Sequence, residues 1–500
     1  MSKFTLQIYP IFILIICFFS GCIYMEHLES ESAGVYTTDE CENCGQTNNS
    51  DYYPGTEKYG DLTYNPFHLT SEDSLSTFAI DVDNGSYTLA RKKLQQGLAP
   101  DPASIRVEEF LNYFEQDYPE PDNGPLAVYI DGAVSPFRDS LVLLRIGLKG
   151  KELVQEERKV WNFTFLVDVS GSMTSRLAMV KYSLNVLVDN MQEGDQISLC
   201  TYAGSVSTKI APTTMDDKEI IKTAINNLSS GGGTAMSSGI QNAYNTNMLG
   251  FKQGGVNRVI VCSDGDANIG DTSQESIHAL IANYIDSGIT LSTIGYGQGN
   301  YNDQLMEQLA DKGNGNYYYV DSQEEGKRLF TDELASTMQV IAKDVKLQIE
   351  FAAKSVLKYR LIGYKNQSIP DFDFVKEDTD AGELGAGHRV TALYELLLTE
   401  NPGNRLGSIS LHYKDPDTDA TVPKEYLVQK EAINSDFSTS ASRFRFCAGV
   451  AEFAELLRAS PYATGTTLAE LETIISESID TGDAKDNELL DLVKIAKGIK

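Results

Sequence analysis

Positive charge is scarce in this chain. Its 41 Lys and Arg stand against 71 Asp and Glu, a formal net charge of −30 over 500 residues. Nucleic-acid binding needs a basic footprint to replace counterions on the phosphate backbone, so that class of partner is excluded. Histidine is also rare, with five scattered residues. No G-x-S-x-G elbow, H-E-x-x-H helix or G-x-x-x-x-G-K-[ST] loop occurs, and the chain is expected not to be an enzyme. Internal repeats of solenoid length are absent. The longest strictly apolar stretch, Ile8 to Phe19, is short for a membrane span. Cysteines number seven, yet Cys41 and Cys44 form a lone C-x-x-C, which cannot build a tetrahedral zinc site without two further ligands. Cys200, Cys262 and Cys447 lie in apolar surroundings and are expected to be small buried hydrophobes.

What is present begins with a processing segment. Lys3, the Ile8–Phe19 stretch and Ser20-Gly21-Cys22 read as an n-region, an h-region and a cleavage point. Ser20-Gly21-Cys22 resembles the lipobox of bacterial lipoproteins, with Phe19 departing from the usual aliphatic residue. The resemblance implies a signal peptide over 1–22, lipidation of Cys22, export and a membrane-bound life in the bacterial cell envelope. Ile23 stands where Asp would favour inner-membrane retention, so the outer membrane is preferred. Residues 23–70 are polar and without apolar period, which predicts a flexible tether.

Beyond the tether, the pattern divides in three. Residues 71–159 mix strand-like segments (Phe78 to Asp83, Leu126 to Asp131, Leu141 to Leu148) with helices near Tyr87 to Gln96 and after Ser104. Residues 160–342 alternate apolar runs with amphipathic stripes. The runs lie at Phe163 to Val167, Arg258 to Cys262, Ile289 to Ile294 and Tyr317 to Val320. The stripes are Leu177/Val180/Leu184/Leu187/Val188/Met191 and Ile220/Ile221/Ala224/Ile225/Leu228. Continuous apolar runs suit parallel strands buried on both faces, so a doubly wound α/β domain is predicted. Residues 343–432 return to strands, and 433–500 read as helices. Neither β-rich stretch suffices for a sheet alone. The two are expected to pair as a sandwich-like domain into which the α/β domain is inserted.

The chemistry is carried by three segments. Asp168-Val169-Ser170-Gly171-Ser172 follows the first parallel strand, at the sheet edge where open α/β folds place ligands. Gly231-Gly232-Gly233-Thr234 is a flexible loop that can bring in a hydroxyl, and Ser263-Asp264-Gly265-Asp266 ends a second strand with a carboxylate. Hydroxyls of Ser170, Ser172 and Thr234 with carboxylates of Asp168 and Asp264 form a hard oxygen set. Such a set suits Mg²⁺, or Mn²⁺ or Ca²⁺, and not zinc. A coordination place left open would accept a Glu or Asp from a partner.

This pattern resembles the metal ion-dependent adhesion site of von Willebrand factor type A domains over roughly 160–340. The resemblance implies that Ser170, Ser172 and Thr234 touch the ion, with Asp168 and Asp264 ligating directly or through water. Met236 stands where related bacterial proteins often have Gly. The flanking strings Thr77–Asp83, Arg106–Phe114 and Gly385–Glu395 resemble bacterial lipoproteins in which a type A domain lies between a conserved N-terminal region and a C-terminal domain of unknown function. That family's strand order, 3-2-1-4-5-6, implies that Cys200 and Cys262 flank the central strand and stay reduced.

Two other acidic patterns compete for metal. Asp81-Val82-Asp83-Asn84-Gly85 has its Gly one place early for an EF-hand and is expected to be a strand end with an Asn-Gly turn. Asp415, Asp417 and Asp419 lack the bending Gly and are expected at a hairpin tip. The functional expectation is a metal-dependent binding protein whose ligand, a protein or glycan, presents a carboxylate. The alternatives are a structural or assembly component of an envelope complex, and a hydrolase.

Overall fold

The computed structural model describes Tyr59 and residues 62–499, apart from 154–157, 234–235, 266–273, 298–301, 332, 334–337, 366 and 377–380. Residues 1–22, expected to be a signal peptide ending at Cys22, and Cys41, Cys44, Thr234 and Asp266 lie outside the described residues.

The apolar runs become a six-stranded sheet in the order Val206–Thr214, Gln196–Tyr202, Trp161–Asp168, Val256–Ser263, Ile289–Tyr296, Tyr317–Val320. All pairs are parallel except the Gln196–Tyr202/Val206–Thr214 pair at one edge. Counted in chain order this is 3-2-1-4-5-6. Side chains alternate between the faces, so each run feeds two cores. Phe163, Phe165 and Val167 meet helix Leu177–Asn190 through Val180, Leu184 and Leu187. Leu166 meets helix Met236–Leu249 through Ile240, Ala243 and Tyr244 on the opposite face. The second stripe is narrower than its sequence reads. In helix Lys218–Asn226 only Ile221 and Ile225 are buried, while Ile220 is 57% exposed because one residue of rotation carries it off that face.

Cys200 is opposite Leu166 and Cys262 opposite Val167, on the two strands flanking the central one. They point into different cores, and both are free thiols, as is Cys447.

The two β-rich stretches pair directly. Leu141–Gly150 runs antiparallel to Arg389–Leu398, in register from Leu141↔Leu397 to Lys149↔Arg389. Leu75–Ala79 pairs with Val340–Phe351. The result is two facing sheets, antiparallel except where Ile433–Asn434 pairs parallel with Leu126–Val134 at one edge, with Leu144, Ile146, Leu148 and Tyr394 of one packed with Leu347, Ile349, Ile409 and Leu411 of the other. The α/β unit is thus inserted into a sandwich. The outer face of the sandwich's six-stranded sheet, through Leu143 and Leu393, carries a helical layer. Tyr87, Phe110, Phe446, Phe453 and Leu489 come to it from both ends of the chain. Burying each such side chain contributes about 1.5–3 kcal/mol.

Three local expectations change. The strand expected over Phe78–Asp83 is Leu75–Ala79 and does not reach Asp83, because the Asp81 carboxylate accepts the Asp83 amide (2.8 Å) and turns the chain. Asn84 then precedes helix Gly85–Gln95, so Asn84-Gly85 starts a helix where a turn was expected. A Cβ on Gly85 would lie 2.2 Å from the Tyr317 ring, which explains the glycine. Residues 62–70, assigned to the tether by composition, lie against the body. Asn65 donates to the Leu361 and Gly363 carbonyls (3.1 and 2.7 Å), and His68–Leu69 pairs with Tyr359 and Lys358. The 415–419 segment is the hairpin tip expected, with Asp415 accepting the Asp417 and Thr418 amides.

Candidate metal centre

The central strand ends at Asp168, and its neighbours lie on opposite sides: the chain goes next to Gln196–Tyr202 on one and later to Val256–Ser263 on the other. This reversal opens a crevice at the strand ends. Asp168 is fully buried there. One carboxylate oxygen accepts the Ser170 amide (2.8 Å), which folds the Val169–Gly171 backbone back over the strand. The other accepts the Ser263 hydroxyl at 3.0 Å. Ser170 and Ser172 place their hydroxyl oxygens 3.0 Å apart, on the same side of that turn.

Ser263 is the residue that sequence reasoning passed over. It closes the Val256–Ser263 strand, is fully buried, and its oxygen also accepts the Gly265 amide (3.0 Å). One hydroxyl therefore ties the Asp168 carboxylate to the loop that carries Asp264. The available signal was a polar residue ending an apolar run beside the strand that ends in Asp168.

Asp264 is almost fully buried, with its carboxylate on the Arg176 guanidinium at 2.8 Å. The glycine loop is tied alongside. The Gly231 amide donates to the Val169 carbonyl at 2.7 Å, and the Ser230 and Thr174 hydroxyls are 2.9 Å apart. Gly232, at φ +104°, passes so close to Gly204 that a Cβ would meet its amide nitrogen at 3.0 Å. The structure thus gathers Asp168, Ser170, Ser172 and Asp264, and brings the loop up to Gly233. Thr234, the next residue, lies outside the described set.

The donor set fits a hard divalent cation. Each Asp168 oxygen has one hydrogen bond and keeps capacity for another, and the paired serine hydroxyls offer lone pairs. Among the described residues no imidazole or thiol joins them; the nearby Cys262 thiol faces the apolar core, and burial raises its pKa. The set uses two carboxylates with hydroxyls, and clusters of three or more His, Cys, Asp or Glu in metal-binding arrangement do not occur among the described residues. Beneath the site, burial and the Asp168 charge hold the Tyr202 phenol well above its usual pKa, so it stays neutral.

Fold and site together define a von Willebrand factor type A domain protein: the family description "von Willebrand factor type A domain" matches residues 162–332. The description "von Willebrand factor" matches 53–145, and "Uncharacterized protein YfbK, C-terminal" matches 336–405 and 398–499. The chain is 33% identical over 476 residues to uncharacterized protein YfbK of Escherichia coli (strain K12), across 89% of this chain and 82% of that one, and it belongs to that family. Uncharacterized protein sll0103 of Synechocystis is 24% identical over 56% of this chain and 67% of its own. Among solved structures, von Willebrand factor type A from Catenulispora acidiphila is similar with a TM-score of 0.44 and 16% identity, covering 76% of this chain and 91% of that one.

Proposed function

We propose that this chain is a binding protein of the bacterial cell envelope that takes a carboxylate-bearing protein or glycan ligand through a divalent cation. The observation that carries the reading is the convergence of Asp168, Ser170, Ser172 and Asp264 at the sheet's switch point, with the Gly231–Gly233 loop fastened beside them. Ser170, Ser172 and Thr234 would offer hydroxyl oxygens, and Asp168 and Asp264 carboxylates, to Mg²⁺, or to Mn²⁺ or Ca²⁺. The ion would supply electrostatic attraction for one acidic group of the partner. Ser263 holds the Asp168 carboxylate in place, and the Asp168–Ser170 turn orients the two serines. The binding role needs no general acid or base, and the chain is proposed to be no enzyme. Signal peptide 1–22, the lipid on Cys22 and the tether that follows would fix the domain to the outer membrane of the envelope, while the chain's strong negative charge keeps it soluble.

Calorimetric titration of the protein with Mg²⁺ and with Mn²⁺ tests the reading. Uptake by the wild type and its loss in Asp168→Ala and Thr234→Ala are expected. No uptake by the wild type would end the metal reading. A ligand retained in EDTA, and by both variants, would refute bridging through the ion.

A further inference from the structure

We propose that Arg176 is a built-in counter-cation of this site, holding Asp264 when no divalent ion is present and competing with the ion for that carboxylate. Arg176 thereby sets the cation affinity. The inference rests on the metal reading above and adds a residue that the oxygen set does not contain.

The geometry is that of a made seat. Arg176 stands between the Gly171–Met173 turn and helix Leu177–Asn190. Its Nη1 lies 2.8 Å from Asp264 Oδ2 and also donates to the Ser172 carbonyl, so one guanidinium joins the serine turn to the Asp264 loop. The two side chains are 15% and 3% exposed. On its far side lies Gly297, at φ +114°, where a Cβ would fall 1.8 Å from the Arg176 Nε. The Gly297 carbonyl is in turn held by the Tyr319 hydroxyl. Three loops thus shape a slot in which only a glycine leaves room for the arginine.

The electrostatics follow. A buried carboxylate without a counter-charge is costly, and Arg176 supplies that charge to Asp264. A guanidinium does not lose its proton, so its charge persists when an ion arrives. Among the described residues, two carboxylates offset the two charges of a divalent ion, and Arg176 adds one positive charge. That charge opposes the ion and favours an incoming anion. Removing Arg176 should therefore weaken the ion-free protein and tighten ion binding, a pairing of signs that a purely structural arginine does not produce.

Calorimetry with Mn²⁺ alone, on the full chain and its variants, reads this. Arg176→Gln, and Arg176→Met as a second neutral substitution of similar length, should raise Mn²⁺ affinity by on the order of tenfold or more. Both should lower the melting temperature without Mn²⁺ and enlarge its rise when Mn²⁺ is added. Arg176→Lys keeps the charge and should stay near the wild-type affinity. Asp168→Ala in the Arg176→Gln background should abolish uptake, which places the ion at this site. A wild type that takes up Mn²⁺ with neutral variants that bind it equally or less well overturns the competition and leaves the metal reading standing. Absence of uptake in wild type and neutral variants alike overturns both.

Discussion

Ser263→Ala isolates one oxygen atom and so tests how the site is held. The Ser263 hydroxyl donates to Asp168 and accepts from the Gly265 amide, each at 3.0 Å, and both Ser263 and Asp168 are fully buried. Alanine fits the space, so the loss is in hydrogen bonding. A bond to a charged acceptor contributes roughly 1.5–3 kcal/mol, and leaving the Gly265 amide without its acceptor costs about 1 kcal/mol more. Water entering from the crevice would recover part of this. The expected destabilisation is roughly 2–4 kcal/mol, read as a fall in urea midpoint at unchanged slope. Because the same oxygen ties Asp168 to the Asp264 loop, Mn²⁺ affinity measured by calorimetry should fall in parallel. A midpoint within error of the wild type, with Mn²⁺ binding unaltered, would refute the claim that Ser263 couples the two loops.

Arg360 is a second buried charge whose removal is informative. It lies between Glu395 (2.7 Å) on the sheet and Glu455 (3.0 Å) on helix Ser442–Leu457, all three buried. In Arg360→Ala, Glu395 keeps Arg138 (2.8 Å) and Glu455 keeps Arg458 (3.6 Å), so the cost in thermal or urea unfolding should fall below that of a fully broken buried pair, at roughly 2–3 kcal/mol, whereas a change below about 1 kcal/mol would show the pair to be idle. Glu307, on helix Asp303–Lys312, has its pKa raised to about 7, mainly by burial, with Arg106 opposing the shift. The folded protein therefore keeps a proton there that the unfolded chain, near the ordinary carboxylate value, has released. Stability present below that ordinary value is lost as pH rises through about 7, by up to about 1.4 kcal/mol per pH unit; Glu307→Gln should flatten the melting-temperature profile between pH 5 and 7, and an unchanged slope would count against it. The thiols of Cys200, Cys262 and Cys447 should stay unreactive to a thiol reagent in the folded protein and all appear after denaturation.

The parallel sheet was legible because strands buried on both faces write continuous apolar runs, and the chemistry sits where each run stops: Asp168 after Val167, Asp264 after Ser263. Long-range pairings leave no such local trace. Arg176 is separated from Asp264 by 88 positions, and nothing near either residue announces the bond. Arg258 read as the polar start of a run, yet it is buried within the sheet, its guanidinium held by the Thr290 and Ser292 hydroxyls of the next strand. Periodicity also overstated the helix stripe at Ile220 and the strand at Ile80–Asp83. Ile220 adjoins the buried face without belonging to it, whereas Ile80 is buried and the strand stops there because the Asp81 carboxylate turns the chain.

The flanking strings that carry the family resemblance have a structural account, and it bears on His388, the histidine within one of them. Gly385–Arg389 sits where the chain leaves the sandwich and where it returns. The Gly150 amide donates to the His388 carbonyl (2.8 Å), the Gly387 amide to that of Lys151 (3.0 Å), and the Ala386 amide to that of Gln339 (2.9 Å). Outgoing and returning segments are further joined by the Gln339 side chain, which accepts the Lys159 amide at 2.8 Å. The string around Arg106 supplies another fastening, since Arg106 reaches Asp303 at 2.6 Å on the α/β domain. Asn302, one residue earlier, packs so close to Gly265 that a Cβ there would lie 2.7 Å from its amide nitrogen. These residues hold the inserted domain by both ends of its chain and by the helix that abuts the Asp264 loop. Burial, reinforced by Arg389 and Arg258, lowers the His388 pKa to about 4, so the imidazole is uncharged at neutral pH. A neutral ring in a backbone clamp accounts for its place without assigning it proton transfer. The family strings thereby report how the domain is mounted, and the chemistry is left to the loops at the opened sheet edge.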